Sequence, residues 1–146
     1  MMRRLGALLS FALLALFAPG DAAAQETELR RVVADVAAAW SGGDVGGVVA
    51  HFARDGVALE LADGPMAPIG RRQAAALLRR LFEDVVTVEV RTVAAEVTGG
   101  APARGFGELS WTIRGRGTDI TGRSRVFLAL EREDDRWRVT QVRLLR

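Results

Sequence analysis

Residues 108–144, ELSWTIRGRGTDITGRSRVFLALEREDDRWRVTQVRL, decide the fold. Leu109, Trp111 and Ile113 alternate with Glu108, Ser110, Thr112 and Arg114, the period of two that buries one face of a strand. Gly115 to Gly122 turns the chain, Val126, Leu128 and Leu130 form the apolar side of the next strand, and Glu131 to Arg136 is a charged hairpin tip. In the last strand the phase breaks: Trp137 and Val139 have one parity, Val142 and Leu144 the other. A one-residue slip flips every side chain to the opposite face. Either this strand is buried on both faces, or an extra residue near Thr140-Gln141, a β-bulge, restores the phase. The bulge predicts that Trp137 and Val142 share a face.

Toward the amino terminus the same alternation is found in Val86, Val88 and Val90 against Thr87, Glu89 and Arg91, with a loop at Thr98 to Pro102. Before it the period is helical. Leu29, Val32, Val33, Val36, Ala37 and Trp40 form one stripe of a helix over Glu26–Trp40, which Thr27 is placed to cap and Ser41-Gly42-Gly43 to stop. Asp44 caps a shorter helix carrying Val45, Val48, Val49 and Phe52 on one side. Gly46-Gly47 inside it costs about 1 kcal/mol per residue relative to Ala, so packing must hold it. Val57, Leu59 and Leu61 alternate as a strand, Asp63-Gly64-Pro65 turns, and Met66 to Ile69 returns as a short second strand. Gly70 to Phe82 is a third helix, with Ala74, Leu77, Leu78, Leu81 and Phe82 on its buried stripe. The order α-α-β-(β)-α-β-β-β-β predicts an α+β fold: three helices from the first half packed on one curved antiparallel sheet.

The first 24 residues read as an export signal. Met1-Met2-Arg3-Arg4 is a basic n-region, Leu5 to Phe17 an apolar run, and Ala22-Ala23-Ala24 offers small side chains for cleavage between Ala24 and Gln25. The run is about 13 residues, short of the roughly 20 that span a bilayer, so no stable membrane anchor is expected. Residues 25–146 are then a single exported domain, periplasmic or secreted. The chain has no cysteine, which excludes a lipoprotein anchor, a disulfide scaffold and a thiolate site.

Apolar residues at 49% and charged ones at 26% fit an ordinary globular domain of this 146-residue length. All 20 basic residues are Arg, and the formal net charge is only +2, falling to +1 once Arg3, Arg4 and Asp21 leave with the leader. A nucleic-acid partner needs a clustered basic face. Arg71-Arg72 and Arg79-Arg80 lie on a helix that Glu83-Asp84 close, and they read as a solvated face, so none is expected.

Several local signatures resemble the nuclear transport factor 2-like superfamily, the cone-shaped α+β fold shared with ketosteroid isomerases and polyketide cyclases. They are Trp40-Ser41-Gly42-Gly43-Asp44, His51-Phe52-Ala53-Arg54-Asp55-Gly56-Val57, Ile69-Gly70-Arg71 and Asp135-Arg136-Trp137-Arg138-Val139. Gln73-Ala74 with Leu78 and Leu81-Phe82, Gly107-Glu108-Leu109 and Val139-Thr140-Gln141-Val142-Arg143 are most similar to the bacterial domain-of-unknown-function family 4783. The chain departs from that family in Trp137, often Tyr there, and in the longer loop around Gly115–Gly122. The resemblance covers roughly residues 29–146 and brings no established function. It implies a homodimer through the outer sheet face, to which Thr87, Glu89, Arg91, Ser110 and Thr112 would contribute.

Catalysis of the isomerase type needs a carboxylate base and, opposite it, a donor such as Tyr or a protonated Asp. The chain has no Tyr. Glu108 and Arg125 sit on strands that could face each other, but parity puts Glu108 on the solvent side, as a surface ion pair. His51 is the only histidine, so no two-histidine metal site exists and no metal or cofactor is expected. It falls at the core boundary of the second helix. Trp40, Phe52, Trp111 and Phe127 either line an apolar pocket or fill it. The reading preferred is non-enzymatic: a domain binding a small apolar ligand or a protein partner, with no catalytic residue assigned. Its rival is a small cofactor-free isomerase, hydratase or lyase using the cone cavity, with His51 or a buried carboxylate as base.

Overall fold

The computed structural model describes residues 19–61 and 67–146. The n-region and apolar run expected of a leader, the expected turn at Asp63-Gly64-Pro65 and Met66 lie outside them. The elements are α1 (Pro19–Ser41), α2 (Val45–Val49), β1 (Ala58–Glu60), α3 (Arg71–Asp84), β2 (Val85–Gly99), β3 (Arg104–Gly115), β4 (Thr121–Glu133) and β5 (Arg136–Leu145). One five-stranded sheet runs β1-β5-β4-β3-β2, antiparallel except that β1 lies parallel to β5. The expected short return strand is a single bridge between Val57 and Ile69.

The helical stripe of α1 is as read: Leu29, Val33, Val36 and Trp40 are fully buried. Its start is not. The helix does not begin at Glu26: Pro19 to Gln25 belong to it as well. Thr27 therefore caps nothing and turns its hydroxyl back to the Ala23 carbonyl (3.0 Å). In α2, Asp44 caps as expected by accepting from the Gly47 N–H (3.0 Å). Gly47 is required there, since a Cβ would lie 2.6 Å from Asp44 Oδ2 and 2.9 Å from the Ala39 Cβ. Phe52 lies beyond this short helix, in a bridge to Val139.

The sheet curls because its long strands carry bulges, which bend a strand and raise its twist. In β5 the register steps at Thr140: Ala129 faces Gln141, while Leu130 faces Val139. Trp137, Val139 and Val142 consequently all point into the core, and the Thr140 hydroxyl bonds the Ala129 carbonyl (3.3 Å). β2 slips three times against β3, after Thr87, Thr92 and Val97. The first slip overturns the clean alternation read for this strand. Thr87 lies opposite Ile113 and faces inward, not on the outer face, while Val88 is left 55% exposed.

α1 lies close on this curl because β3 presents glycines beneath it. A Cβ on Gly107 would be 2.7 Å from Val33 Cγ2, and one on Gly105 would be 2.9 Å from Leu29 and 2.8 Å from the Glu96 carbonyl. The far end of α1 is pinned by β5: the buried Trp137 indole donates to the Gln25 carbonyl (3.0 Å). The hairpin between β4 and β5 turns on Asp134 and Asp135, both left-handed, the pairing that suits two-residue hairpins.

Candidate functional site

In a cone of helices on a curled sheet, the interior is the first place for a site. Here α1 ends by placing Trp40 inside, α3 ends by placing Phe82 beside it, and β3 sends Trp111 up from the sheet. The three rings meet edge to face, with centroids 5.2 Å apart for Trp40–Phe82, 5.4 Å for Trp40–Trp111 and 6.2 Å for Phe82–Trp111. That geometry satisfies aromatic quadrupoles while packing densely. The Trp111 indole donates to the inward Thr87 hydroxyl (3.0 Å), which explains why a threonine turns inward there. The Trp40 indole N–H is buried with no hydrogen-bond acceptor.

Of the four aromatic residues expected at a pocket, the structure brings Trp40 and Trp111 into direct contact and buries Phe52 in the same core. Phe127 is the exception. It sits between the buried Val126 and Leu128 on β4, so strand parity turns it to the outer face, where it stacks on Phe106 at 5.8 Å and 19°. Phe82, on the stripe of α3 but not among the four, takes its place inside. Among the described residues the one fully buried polar side chain is Ser124, while Arg71 reaches in from the start of α3, donating to the Phe52 carbonyl (2.5 Å) with its Nε buried and unpartnered. Open clefts of about 270 to 300 Å³ lie at the surface instead, one beside Ser41, Phe82 and Thr87, another among Arg54, Glu133 and Arg138.

The candidate base and ion pair are peripheral. Glu108 is on the outer face, as parity predicted, with Arg125 3.1 Å away. His51 follows α2, its carbonyl accepting from the Val139 N–H (2.8 Å). Burial lowers its pKa below the ordinary 6.5, and Arg138 acts in the same direction while Asp35 on α1 opposes both. A histidine with a depressed folded pKa contributes stability above 6.5, and that contribution is lost as pH falls through the folded value. Urea midpoints of wild type are therefore expected to fall more between about pH 7.5 and about pH 5.5 than those of His51→Gln. Equal slopes refute the assignment.

The outer sheet face forms ordered rows. Arg91, Ser110 and Arg125 lie side by side, as do Glu89, Thr112 and Arg123 one row on. Toward the other end Glu96 neighbours Phe106, Ala94 and Phe127 flank Glu108, and Arg104 pairs with Glu131 at 3.6 Å. The Phe106–Phe127 stack lies within the glutamate-containing rows, next to the arginine-rich ones.

No family model and no curated protein sequence matches the chain. Solved structures do. A DUF4783 family protein from Bacteroides uniformis is similar over 77% of this chain and 94% of its own, with a TM-score of 0.64 and 15% identity. A ketosteroid isomerase-like protein from Erwinia carotovora atroseptica gives 0.67 and 18%, over 82% of this chain and 94% of that one. A protein from Catenulispora acidiphila with the ketosteroid isomerase-like fold, solved in complex with trimethylamine, gives 0.61 and 21%, over 79% and 84%. The chain thus has the cone-shaped fold of the nuclear transport factor 2-like and ketosteroid isomerase-like proteins, among them members of the DUF4783 family.

Proposed function

We propose that this chain is an exported, non-catalytic binding domain whose working surface is the outside of the sheet, and that its occupant there is a second copy of the chain. One observation supports this reading: Trp40, Phe82 and Trp111 pack edge to face across the interior, where an isomerase would need an open hollow. A cofactor-free isomerase, hydratase or lyase needs two ionisable groups converging on an open hollow. Binding therefore moves to the face that carries the stacked Phe106–Phe127 pair.

Aromatic anchors ringed by charge are the usual composition of a protein contact. The charges are also sorted along the strands. Arg91, Arg123 and Arg125 outnumber Glu89 at one end, while Glu96, Glu108 and Glu131 outnumber Arg104 toward the other. A two-fold axis through the phenylalanine stack sets the arginines of one copy against the glutamates of the next, the self-complementarity that a closed dimer demands.

Light scattering on a size-exclusion column tests this. Wild type is expected as a dimer that weakens with salt, and Phe127→Glu as a folded monomer. A charge placed on an anchor costs about 2 kcal/mol or more, roughly thirtyfold in Kd. A wild type that stays monomeric at high micromolar concentration overturns the proposal.

A further inference from the structure

We propose that the exported chain carries a pyroglutamate at its amino terminus, formed from Gln25; this rests on leader removal between Ala24 and Gln25, part of the export reading above. Two independent observations meet at this residue. The sequence places the scission after Ala22-Ala23-Ala24. The fold takes hold of α1 one residue later. Gly20 to Ala24 are all exposed, Gln25 is the first of them to be half-buried, and its carbonyl is the first backbone group of α1 held from another element, by the Trp137 indole at 3.0 Å. Glu28 follows with an ion pair to Arg132 at 2.8 Å, then Leu29 with full burial. Residues 20–24 can leave without loss of core.

Their removal makes Gln25 the first residue of a helix. An α-ammonium there adds charge to the end where unsatisfied N–H groups already concentrate positive potential. The neutral amine is the nucleophile. That nitrogen attacks Cδ of its own side-chain carboxamide. A nitrogen–Cδ bond forms, the Cδ–Nε2 bond breaks, and ammonia departs with one proton from the amine. No oxidant or co-reactant is consumed. The product is an uncharged lactam whose ring restricts the first backbone torsion much as proline does at the head of a helix. The lactam thereby removes from the helix start a cation that the positive end of the helix disfavours.

Intact-mass and amino-terminal peptide analysis of the full chain, expressed with its own leader and recovered from the periplasm of a Gram-negative host, decides the matter. The expected mass is that of residues 25–146 less about 17 Da, the ammonia lost, with an end inert to amine-reactive reagents. Gln25→Asn, whose ring would have four members, is expected to keep its full mass and a reactive amine. A wild-type chain beginning at Gln25 with full mass and a free amine overturns the modification while leaving the cleavage intact. A chain that begins elsewhere, or keeps its leader, overturns the cleavage and the modification together.

Discussion

Trp40→Ala is expected to lose about 3–5 kcal/mol of stability, a large share of the roughly 5–15 kcal/mol that a domain possesses. Trp40 is fully buried and makes the two closest ring contacts of the trio, so its removal leaves a hole the sheet cannot close without moving Phe82 and Trp111. Trp40→Phe is expected to recover at least half of that loss, because the indole N–H has no acceptor to forfeit. Chemical denaturation with near-UV dichroism gives both numbers. The cavity variant also bears on function. An apolar hole of this kind stays dry and takes up a fitting aromatic molecule. Indole added to Trp40→Ala is expected to raise its unfolding midpoint in proportion to ligand occupancy, and to leave wild type unchanged. If wild type responds equally, the interior already has a vacancy and the filled-cone reading is wrong.

The second large effect is expected at Gly107. Any Cβ there meets Val33 at 2.7 Å, and Val33 is fully buried on α1 with a stiff, β-branched side chain. Gly107→Ala is expected to cost about 1–3 kcal/mol by pushing α1 from the sheet. Pairing it with Val33→Ala should return part of that cost, giving a coupling of at least about 0.5 kcal/mol in a double-mutant cycle. Strict additivity of the two substitutions would mean that the close approach of helix and sheet is not what the glycine protects.

Much of the architecture was legible because the sequence contradicts itself in an informative way. Trp137 and Val142 lie on opposite parities yet are both too large and apolar to leave in water, and one inserted residue at Thr140 reconciles them. The slips in β2 left no such trace. Val86, Val88 and Val90 alternate without fault, and only the indole of Trp111, 24 residues away, makes an inward Thr87 acceptable. Phe127 was misplaced because aromatic character was weighed above its parity between Val126 and Leu128. The state of the interior was not legible at all. Whether three rings from α1, α3 and β3 fill a hollow or wall it depends on ångström-scale fit between elements distant in the chain, which no local pattern encodes.

The bond from Trp137 to Gln25 spans 112 residues, and that from Arg132 to Glu28 spans 104. Synthesis delivers α1 first, yet the strand that clasps it emerges last. The opening helix, its stripe laid on β2 and β3, therefore gains its last clasp only when β5 arrives. Assembly of this kind is slow and all-or-none, since the entropy of joining the two ends is spent before any reward is collected. A chain clipped before Arg136 is expected to lose this clasp together with Val139 and Val142 of the core.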